Sequence, residues 1–469
     1  MTNIRDFLYI AISMTVATTL FKGTSFLRAK RDALLAIKKA KDSITSVKKS
    51  SSSLLAQAAK ELGDLRGRPL FYPALLSGVG NGTLAELIDG SVKYDFITGI
   101  GTHFFGHSDL DLIGVALEAA SQNIVMQGNL QSGTELKDFL ATLLKMAGPP
   151  LKYGWLATSG TDANETALKI IRHKKTPAYK VIAFKNCFHG RTLIMADLTD
   201  QDAYRKGLHR YHDAYYIPFF DPNDPQSIEK SETALKDLLS QHKSEIGGIV
   251  FELIQGEGGF HPAPPEFFKR LMTICREANI AIWIDEIQTA GRTGELFAFQ
   301  KLGLQDTVDI VTVGKMLQNC ATLYTEAYNP EAGLLAGTFA GSTVSLAVGK
   351  RILERLKEEK FFGKNGKIAQ IEKWAFSGLK NLQKEVGEEM ISHIGVLGTM
   401  VSFQFRKGEL EGTKKLILTL FEEGVMTFYC GRGPYKVRFL LPGGAITQKE
   451  FEKALILLKK AIQRMELKK

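Results

Sequence analysis

The chain has 469 residues, of which 44% are hydrophobic and 23% are charged, an ordinary balance for a globular protein with a large core. Its net charge of +10 is concentrated near the start, because the first 50 residues carry ten Lys or Arg against three Asp. The remainder of the chain has a net charge of only +3, which argues against a nucleic-acid-binding body.

Four cysteines lie far apart in the chain and form no CxxC pair; they are Cys187, Cys275, Cys320 and Cys430. Neither a zinc site nor a disulfide framework is predicted from such spacing, and no bound metal is expected. Reduced thiols are typical of intracellular proteins, so we expect a cytoplasmic location.

An apolar run at residues 7–21 precedes a series of basic residues that begins with Lys22 and Arg28. As a helix, its 15 residues would span roughly 22 Å, less than the ~30 Å hydrocarbon core of a bilayer. The run lacks the cleavage site of a removable signal peptide. Two alternatives stay open: a helix that docks on the body or on a partner, or contact of residues 7–50 with the cytoplasmic face of a membrane.

Helical patterns dominate residues 22–66, with a break at the serines of 50–53. We assign residues 1–66 to a basic N-terminal extension and expect a chain that starts near Leu62 to keep its chemistry. The central region then alternates between helical patterns at 110–123, 161–175, 265–278 and 294–301 and strand patterns at 181–184, 248–254, 281–284 and 309–313. This alternation predicts an α/β fold with a doubly wound, mostly parallel sheet.

The pattern changes after residue 345. Two helical patterns, at 345–362 and 366–386, are followed by short strands near 401–405 and 437–441 and by a last amphipathic helix at about 448–466. We therefore expect a large domain over residues 111–345. A smaller α+β domain would combine residues 67–110 with residues 346–469.

Two of the strand patterns end in polar residues, Asp285 and Lys315. In an open α/β sheet the carboxyl ends of the strands meet at a ligand-binding crevice, so both side chains are expected to face one small molecule. An aspartate that holds a pyridinium nitrogen and a lysine that forms a Schiff base are what pyridoxal phosphate chemistry requires.

Several motifs extend this interpretation, and they occur in one order along residues 94–447. They are GIGTHFFGH (99–107), SGTDANETALK (159–169), FHGRT (188–192), ELIQGEGG (252–259), DEIQTAGRTG (285–294), the pair at 314–315, GTFAG (337–341) and RFLLP (438–442). This set resembles the class III aminotransferases of the fold-type I pyridoxal phosphate superfamily, which include ornithine, acetylornithine, lysine and 4-aminobutyrate aminotransferases.

The resemblance implies a cofactor site for pyridoxal 5'-phosphate. Lys315 would carry the cofactor and move a proton, Asp285 would keep the ring nitrogen protonated, Gln288 would bind the ring hydroxyl and Phe188 would stack on the ring. The phosphate would bind at Gly160 and Thr161, where a helix N-terminus offers free amide donors.

The resemblance also implies a substrate site and a partner subunit. Arg191 would meet a substrate carboxylate, and Glu257 with Arg438 would form a pair that opens for the carboxylate of the 2-oxo acid. Thr338 would reach the phosphate of the neighbouring subunit, which implies a homodimer with shared active sites.

The function implied is transfer of an amino group, from an ω-amino or related amino acid, to 2-oxoglutarate in two half-reactions. One alternative is a racemase, epimerase or aminomutase with the same fold and cofactor. Another is a catalytically idle, membrane-associated paralogue. The chain departs from the family pattern at Leu253, at residues 316–322 and at Ser342, and these departures bear on the substrate rather than on the cofactor.

Overall fold

The computed structural model describes residues 23–50, 53–72, 74–122, 126–128, 130–339 and 341–467. The apolar run at residues 7–21 lies outside these ranges, so the alternatives for that run stay predictions. Within the described ranges, every helix is too short or too polar to cross a bilayer.

The helices are α1 (Thr24–Asp42), α2 (Leu54–Leu65), α3 (Leu110–Ala120), α4 (Thr134–Ala147), α5 (Gly160–Lys175), α6 (Leu193–Leu198), α7 (Ser227–His242), α8 (Pro265–Glu277), α9 (Ala298–Lys301), α10 (Thr343–Glu358), α11 (Lys367–Val386), α12 (Leu410–Glu423) and α13 (Gln448–Glu466). The strands are β1 (Leu76–Asn81), β2 (Leu84–Leu87), β3 (Val92–Asp95), β4 (Tyr153–Ala157), β5 (Lys180–Phe184), β6 (Ala214–Ile217), β7 (Ile246–Phe251), β8 (Ile254–Gln255), β9 (His261–Pro262), β10 (Ala281–Asp285), β11 (Ile310–Val313), β12 (Cys320–Tyr324), β13 (Ile391–Leu397), β14 (Met400–Phe405), β15 (Val425–Met426), β16 (Phe428–Cys430) and β17 (Lys436–Leu440).

A seven-stranded sheet forms the centre of the molecule, in the order β4-β12-β11-β10-β7-β5-β6. Strand β12 runs antiparallel to both of its neighbours, whereas the other adjacent strands are parallel. The predicted fold class, with a mostly parallel sheet, is therefore confirmed. The sequence did not predict β4, β6 or β12.

Helices cover both faces of this sheet, and the alternation along β10 shows why. Ile282 and Ile284 pack on one face with Phe267 and Phe268 of α8. Trp283 packs on the opposite face in the cluster that includes the apolar residues of α5. A strand buried on both faces needs apolar residues at nearly every position, as expected for a parallel sheet.

A second core cluster joins residues from both ends of the chain. It is surrounded by two four-stranded sheets, β1-β2-β3-β15 and β13-β14-β17-β16, and by α11, α12 and α13. Strand β15 pairs in parallel with β3. This shared core is the basis on which we propose a smaller domain formed by residues 67–110 and 346–469.

Part of the predicted N-terminal extension packs into the same core. Ile44 is 4% exposed and Leu55 is 6% exposed, and both belong to the second cluster. Lys48 exchanges two backbone hydrogen bonds with Val92, of 3.0 and 2.9 Å, and so lies beside β3. Ile44 and Leu55 are isolated apolar residues in a polar segment, and both are buried. The folded body therefore begins upstream of residue 67.

Helix α1 lies on α3. Lys30 Nζ is 2.7 Å from Glu118 Oε2, and Leu34 packs where Gly114 leaves space without a side chain. Leu27 and Leu35 of α1 are exposed, and basic residues lie near them in the sequence.

Candidate active site

A cavity of about 390 Å³ lies at the carboxyl ends of β7, β10 and β11, next to the first turn of α5. Its walls bring together seven of the ten residues predicted from the sequence: Gly160, Thr161, Phe188, Glu257, Asp285, Gln288 and Lys315. Arg191, Thr338 and Arg438 do not line it. Residues that the sequence analysis did not single out, such as Asn164, His189 and Glu252, also form its walls.

Asp285 ends β10 and is held by three hydrogen-bonding groups. Its Oδ2 accepts from Asn164 Nδ2 at 2.9 Å and lies 2.8 Å from His189 Nδ1, while its Oδ1 accepts from the backbone amide of Ile287 at 3.0 Å. Burial alone would lower the pKa of His189, but the Cys187 thiol and the Asp285 carboxylate raise it well above its ordinary value. The buried imidazole is therefore a cation next to the carboxyl group of Asp285.

Glu252 adds a second acidic group to the same wall. Its carboxylate accepts backbone hydrogen bonds from Phe188 at 2.9 Å and from Gly256 at 3.1 Å, so it holds the segment that carries the predicted stacking residue. Burial raises the pKa of Glu252 to about 7, against the opposing effect of His189. A carboxyl with such a pKa exchanges its proton near neutral pH.

Lys315 follows β11 and begins a short 3-10 helix, and its φ of 50° lies in the left-handed region that is uncommon for a residue with a side chain. Burial lowers the pKa of its amine, with Glu257 opposing this effect and Arg438 reinforcing it. An amine with a lowered pKa is unprotonated more often and is therefore a better nucleophile.

The first turn of α5 provides an anion site. Ser159 caps the helix by accepting from the amide of Asp162 at 3.1 Å, while Gly160 and Thr161 line the cavity. A Cβ on Gly160 would lie 2.8 Å from Ile287 Cγ2, so glycine allows the backbone to approach this closely. Free amides at a helix N-terminus bind phosphate well.

These groups fit the pyridoxal phosphate expected from the sequence. Two buried acceptors on the cavity wall, Asn164 Oδ1 and Gln288 Oε1, have no hydrogen-bond partner in the described part of the chain. Lys315 would supply the amine, Asp285 would supply a carboxylate for a ring nitrogen, and the start of α5 would bind the phosphate. When bound, this cofactor supplies an electron sink for the carbon that bears the amino group.

Arg438 and Glu257 form a close pair at the edge of the cavity. Arg438, on β17, is buried, and its Nη1 donates to Glu257 Oε1 at 2.5 Å. Burial would raise the pKa of Glu257, but Arg438 lowers it below its ordinary value. The pair therefore exists as two opposite charges with little access to water.

Arg191 and Thr338 occupy more exposed positions than the sequence suggested. Arg191 is exposed and its guanidinium lies 3.9 Å from the centre of the Tyr204 ring, a partner that the sequence analysis missed. Phe188 contacts the same tyrosine edge to face, with ring centres 5.9 Å apart. Thr338 is exposed on a loop and does not border the cavity of its own subunit.

Residues 73–462 match the family model described as Aminotransferase class-III. The acetylornithine aminotransferase of Bacillus cereus is 30% identical over 392 residues, which cover 81% of this chain and 93% of that protein. The 5-aminovalerate aminotransferase of Pseudomonas aeruginosa is 28% identical over 432 residues, which cover 87% of this chain and 98% of that protein.

Solved structures show the same architecture. The lysine aminotransferase from M. tuberculosis, in the internal aldimine form, has a TM-score of 0.77 at 22% identity and covers 87% of this chain and 99% of its own. The ornithine aminotransferase from Toxoplasma gondii has a TM-score of 0.72 at 24% identity, with coverage of 85% and 92%. These likenesses confirm the predicted fold.

Glu286 is fully buried and stabilises the turn after Asp285. Glu286 accepts from Thr289 Oγ1 and from the backbone amide of Phe299. Burial raises its pKa from 4.5 to about 7. A carboxyl whose folded pKa is raised stabilises the fold below its unfolded pKa, and this contribution is lost as the pH rises through about 7.

We therefore expect wild-type protein to lose more stability between pH 5.5 and pH 8.5 than Glu286→Gln, by on the order of 2–3 kcal/mol. Urea unfolding of the cofactor-free protein at both pH values measures this difference. Glu277→Gln, on an exposed position of α8, is the matched control. Equal pH dependence in wild type and Glu286→Gln would contradict the assignment.

Proposed function

The chain belongs to the class III aminotransferases, and we propose that it moves an amino group from an ω-amino or related amino acid to 2-oxoglutarate in two half-reactions. Enzymes of this class use pyridoxal phosphate, an amino acid donor and a 2-oxo acid acceptor. The observation that carries the finer proposal is the buried pair of Arg438 and Glu257 beside Lys315.

The pair supports alternation between two kinds of substrate. Arg438 is 3% exposed in its side chain and Glu257 is 25% exposed, so the glutamate is the partner with room to move. A 2-oxo acid would present a carboxylate to Arg438 and displace Glu257. A donor that enters amino end first leaves the pair intact, because an unpaired buried charge is costly.

Relatives point to the same class of donor. The named substrates of the similar acetylornithine, 5-aminovalerate and lysine aminotransferases carry, or are built on, a terminal amino group. A racemase or aminomutase has no comparable need for a carboxylate site that opens and closes, so the pair favours transamination over that alternative.

We assign the cavity residues matching roles. Lys315 Nζ would carry the cofactor and move the proton at the reacting carbon, and Asp285 would hold the proton on the ring nitrogen. Gln288 would form a hydrogen bond with the ring hydroxyl, and Phe188 would stack on the ring. Gly160 and Thr161 would bind the phosphate. Arg191 would bind the second carboxylate of a substrate.

A homodimer with shared sites is part of the proposal. Thr338 is exposed, and beside it Phe339 is 54% exposed. The neighbouring segment exposes Met126 by 44% and Leu130 by 99%, and a bridge between Met126 and Ser342 joins the two segments. Large exposed apolar side chains on two joined segments are typical of a protein interface. Thr338 would then complete the partner's site.

For location we propose the cytoplasm, with contact between the N-terminal segment and an anionic membrane surface. Helix α1 exposes Leu27 by 47% and Leu35 by 56%. Arg28, Arg31 and Lys38 are exposed on the same helix. Exposed apolar residues among basic ones suit an anionic interface.

The amino acceptor can be tested by separating the two half-reactions. Arg438→Ala removes a charge-assisted contact worth on the order of 1.5–3 kcal/mol, so 2-oxoglutarate should bind roughly 10- to 150-fold more weakly. The amino-donor half-reaction should change less. Stopped-flow absorbance of the cofactor follows each half separately, and glutamate production from ornithine, lysine and 5-aminovalerate identifies the donor.

Glu257→Gln is the matched variant, because it keeps the shape of the partner and removes its charge. It should impair the amino-donor half-reaction more than the acceptor half. Equal losses in both halves for both variants would reduce the pair to a structural contact. Absence of glutamate with every donor would contradict the aminotransferase proposal for 2-oxoglutarate.

Mixing two inactive subunits tests the shared site. If Thr338 acts across the interface, a heterodimer of Lys315→Ala and Thr338→Ala has one site with both changes and one with neither. Equal mixing should then restore about a quarter of the wild-type sites. Each parent, denatured and refolded alone in the same way, is the control. Activity no higher than that of the parents would contradict the shared site.

Two truncations distinguish a role of the N-terminal segment in membrane contact from a role in folding. A variant without residues 1–22 should keep its stability and turnover but sediment less with vesicles that contain phosphatidylserine. A variant without residues 1–61 also loses the buried side chains Ile44 and Leu55, which should cost roughly 3–6 kcal/mol in urea unfolding. This replaces the expectation that an active chain can start near Leu62. Equal vesicle sedimentation of full-length and shortened protein would remove the membrane contact.

A further inference from the structure

Arg292 is a buried cation with no acidic partner among the described residues. Its side chain is fully buried, and its donors reach three neutral oxygens: Gly101 O at 2.5 Å, and Thr399 Oγ1 and Leu441 O at 3.4 Å each. Its Nε lacks a partner in the same described ranges. Burying a charge this way is costly, and replacing buried charges with apolar groups is often neutral or stabilising.

The acceptors of Arg292 come from three separate parts of the chain. Gly101 ends the turn Thr98–Gly101, in which Thr98 and Ile100 have left-handed φ values of 50° and 59°. Thr399 lies in the turn between β13 and β14, and Leu441 follows β17. Backbone strain of this kind persists only where surrounding contacts hold it. Arg292 provides such contacts from the loop that follows Asp285.

The main chain at Arg292 also contacts these neighbours. Its carbonyl oxygen accepts from the amide of Thr399 at 3.0 Å. A Cβ on Gly398 would collide with that oxygen, and a Cβ on Gly101 would lie 3.1 Å from the guanidinium Nη2. Both glycines have positive φ values, 59° and 88°. The guanidinium therefore sits in a space shaped by two glycine turns.

The turn held by Arg292 leads directly into the active site. Thr102, the next residue after the turn, lines the cavity, and its carbonyl oxygen accepts from Gln318 Nε2 at 2.9 Å. Gln318 lies in the segment that follows Lys315. A movement of the turn would therefore displace Thr102 in the cavity wall and, through Gln318, the segment that follows Lys315.

Arg292 also acts on Lys315 through its charge. The charged groups that affect the amine are Glu257 and Asp285, which favour its protonated form, and Arg438 and Arg292, which oppose it. Arg438 is largely neutralised by Glu257. Because Arg292 has no counter-ion among the described residues, its effect is not cancelled locally, and the low dielectric of the interior preserves it.

We propose that Arg292 is a positioning residue for the proposed aminotransferase reaction: it holds the Thr98–Gly101 turn and the Thr399 turn against the loop after Asp285, and it adds a positive charge to the buried set around the Lys315 amine. The first part stands on contacts within the protein alone. The second part rests on the proposed function, because it requires Lys315 to carry the cofactor.

Two substitutions separate the contacts from the charge. Arg292→Met removes both, whereas Arg292→Lys keeps the charge and removes the planar group that reaches several acceptors. Arg276→Met is the control, because Arg276 donates to both oxygens of Asp309 at 2.8 and 2.9 Å, next to the start of β11 and at the end of that strand opposite the cavity. Hydrogen exchange in the cofactor-free proteins should accelerate at residues 98–102 in both Arg292 variants and stay unchanged in the control.

The charge is tested by titrating the absorbance of the cofactor–Lys315 linkage with pH. We expect its apparent pKa to rise in Arg292→Met, to stay near the wild-type value in Arg292→Lys, and to be unchanged in the control. If Arg292→Met does not fold, Arg292→Gln serves as the neutral variant. Unchanged exchange at residues 98–102 in Arg292→Lys would overturn the contact role by itself.

Borohydride reduction and peptide mapping distinguish failure of this inference from failure of the proposed function. A pyridoxyl group on a lysine other than Lys315 would overturn the function on which the charge role rests. A group on Lys315, with identical titrations in wild type and the neutral variant, would overturn the charge role alone. A rise in apparent pKa in both Arg292→Met and Arg292→Lys would also overturn it, because the lysine keeps the charge.

Discussion

The parallel pairing of β10 with β11 is the constraint on which the site depends. The two strands pair in the register Trp283 with Ile310 and Asp285 with Thr312, and the amide of Glu286 donates to Thr312 O at 2.8 Å just beyond the strand. Both strands therefore end at the same edge of the sheet, and the residues that follow them enter one cavity. The carboxylate and the amine meet because of backbone hydrogen bonds rather than any attraction between them.

Two of the charges at this edge are paired and one is not. Asp285 faces an imidazole and Glu257 faces a guanidinium, whereas Arg292 faces only neutral groups in the described part of the chain. In a low dielectric each of these acts on Lys315 more strongly than it would in water. The reactivity of the amine is therefore a property of the whole buried set, and it depends on the packing that keeps water out.

Sequence patterns predicted the parts of the fold that rest on periodicity. The helix predicted at 366–386 is observed at Lys367–Val386, and the one predicted at 448–466 is observed at Gln448–Glu466. Strand β12 was missed because its residues, Cys320–Tyr324, follow the reactive lysine without a turn signal and run antiparallel to the rest of the large sheet. The periodicity of the residues in a strand does not show in which direction the strand runs within the sheet.

The site was predictable where strand ends and motifs coincide, and less so where partners are distant in sequence. His189 stands inside a motif quoted for its neighbours, but its contact lies 96 positions away at Asp285. The raised pKa of Glu252 and the missing counter-ion of Arg292 depend on burial, which a single sequence does not report. Ile44 was likewise hidden, because the basic residues around it suggested a solvated segment.

The position of the smaller core relative to the cavity sets the geometry of the pair formed by Arg438 and Glu257. The hairpin of β16 and β17 contacts the cavity wall through the amide of Gly431, which donates to Glu257 O at 2.9 Å, and through Arg432, which donates to Cys187 O at 3.0 Å. Arg438 lies on the second strand of this hairpin. A shift of the smaller core would therefore move Arg438 relative to Lys315 while the Glu257 loop follows it. The pair that favours a dual-substrate reaction is thus coupled to the packing between the two cores, and Arg292 lies at the same junction.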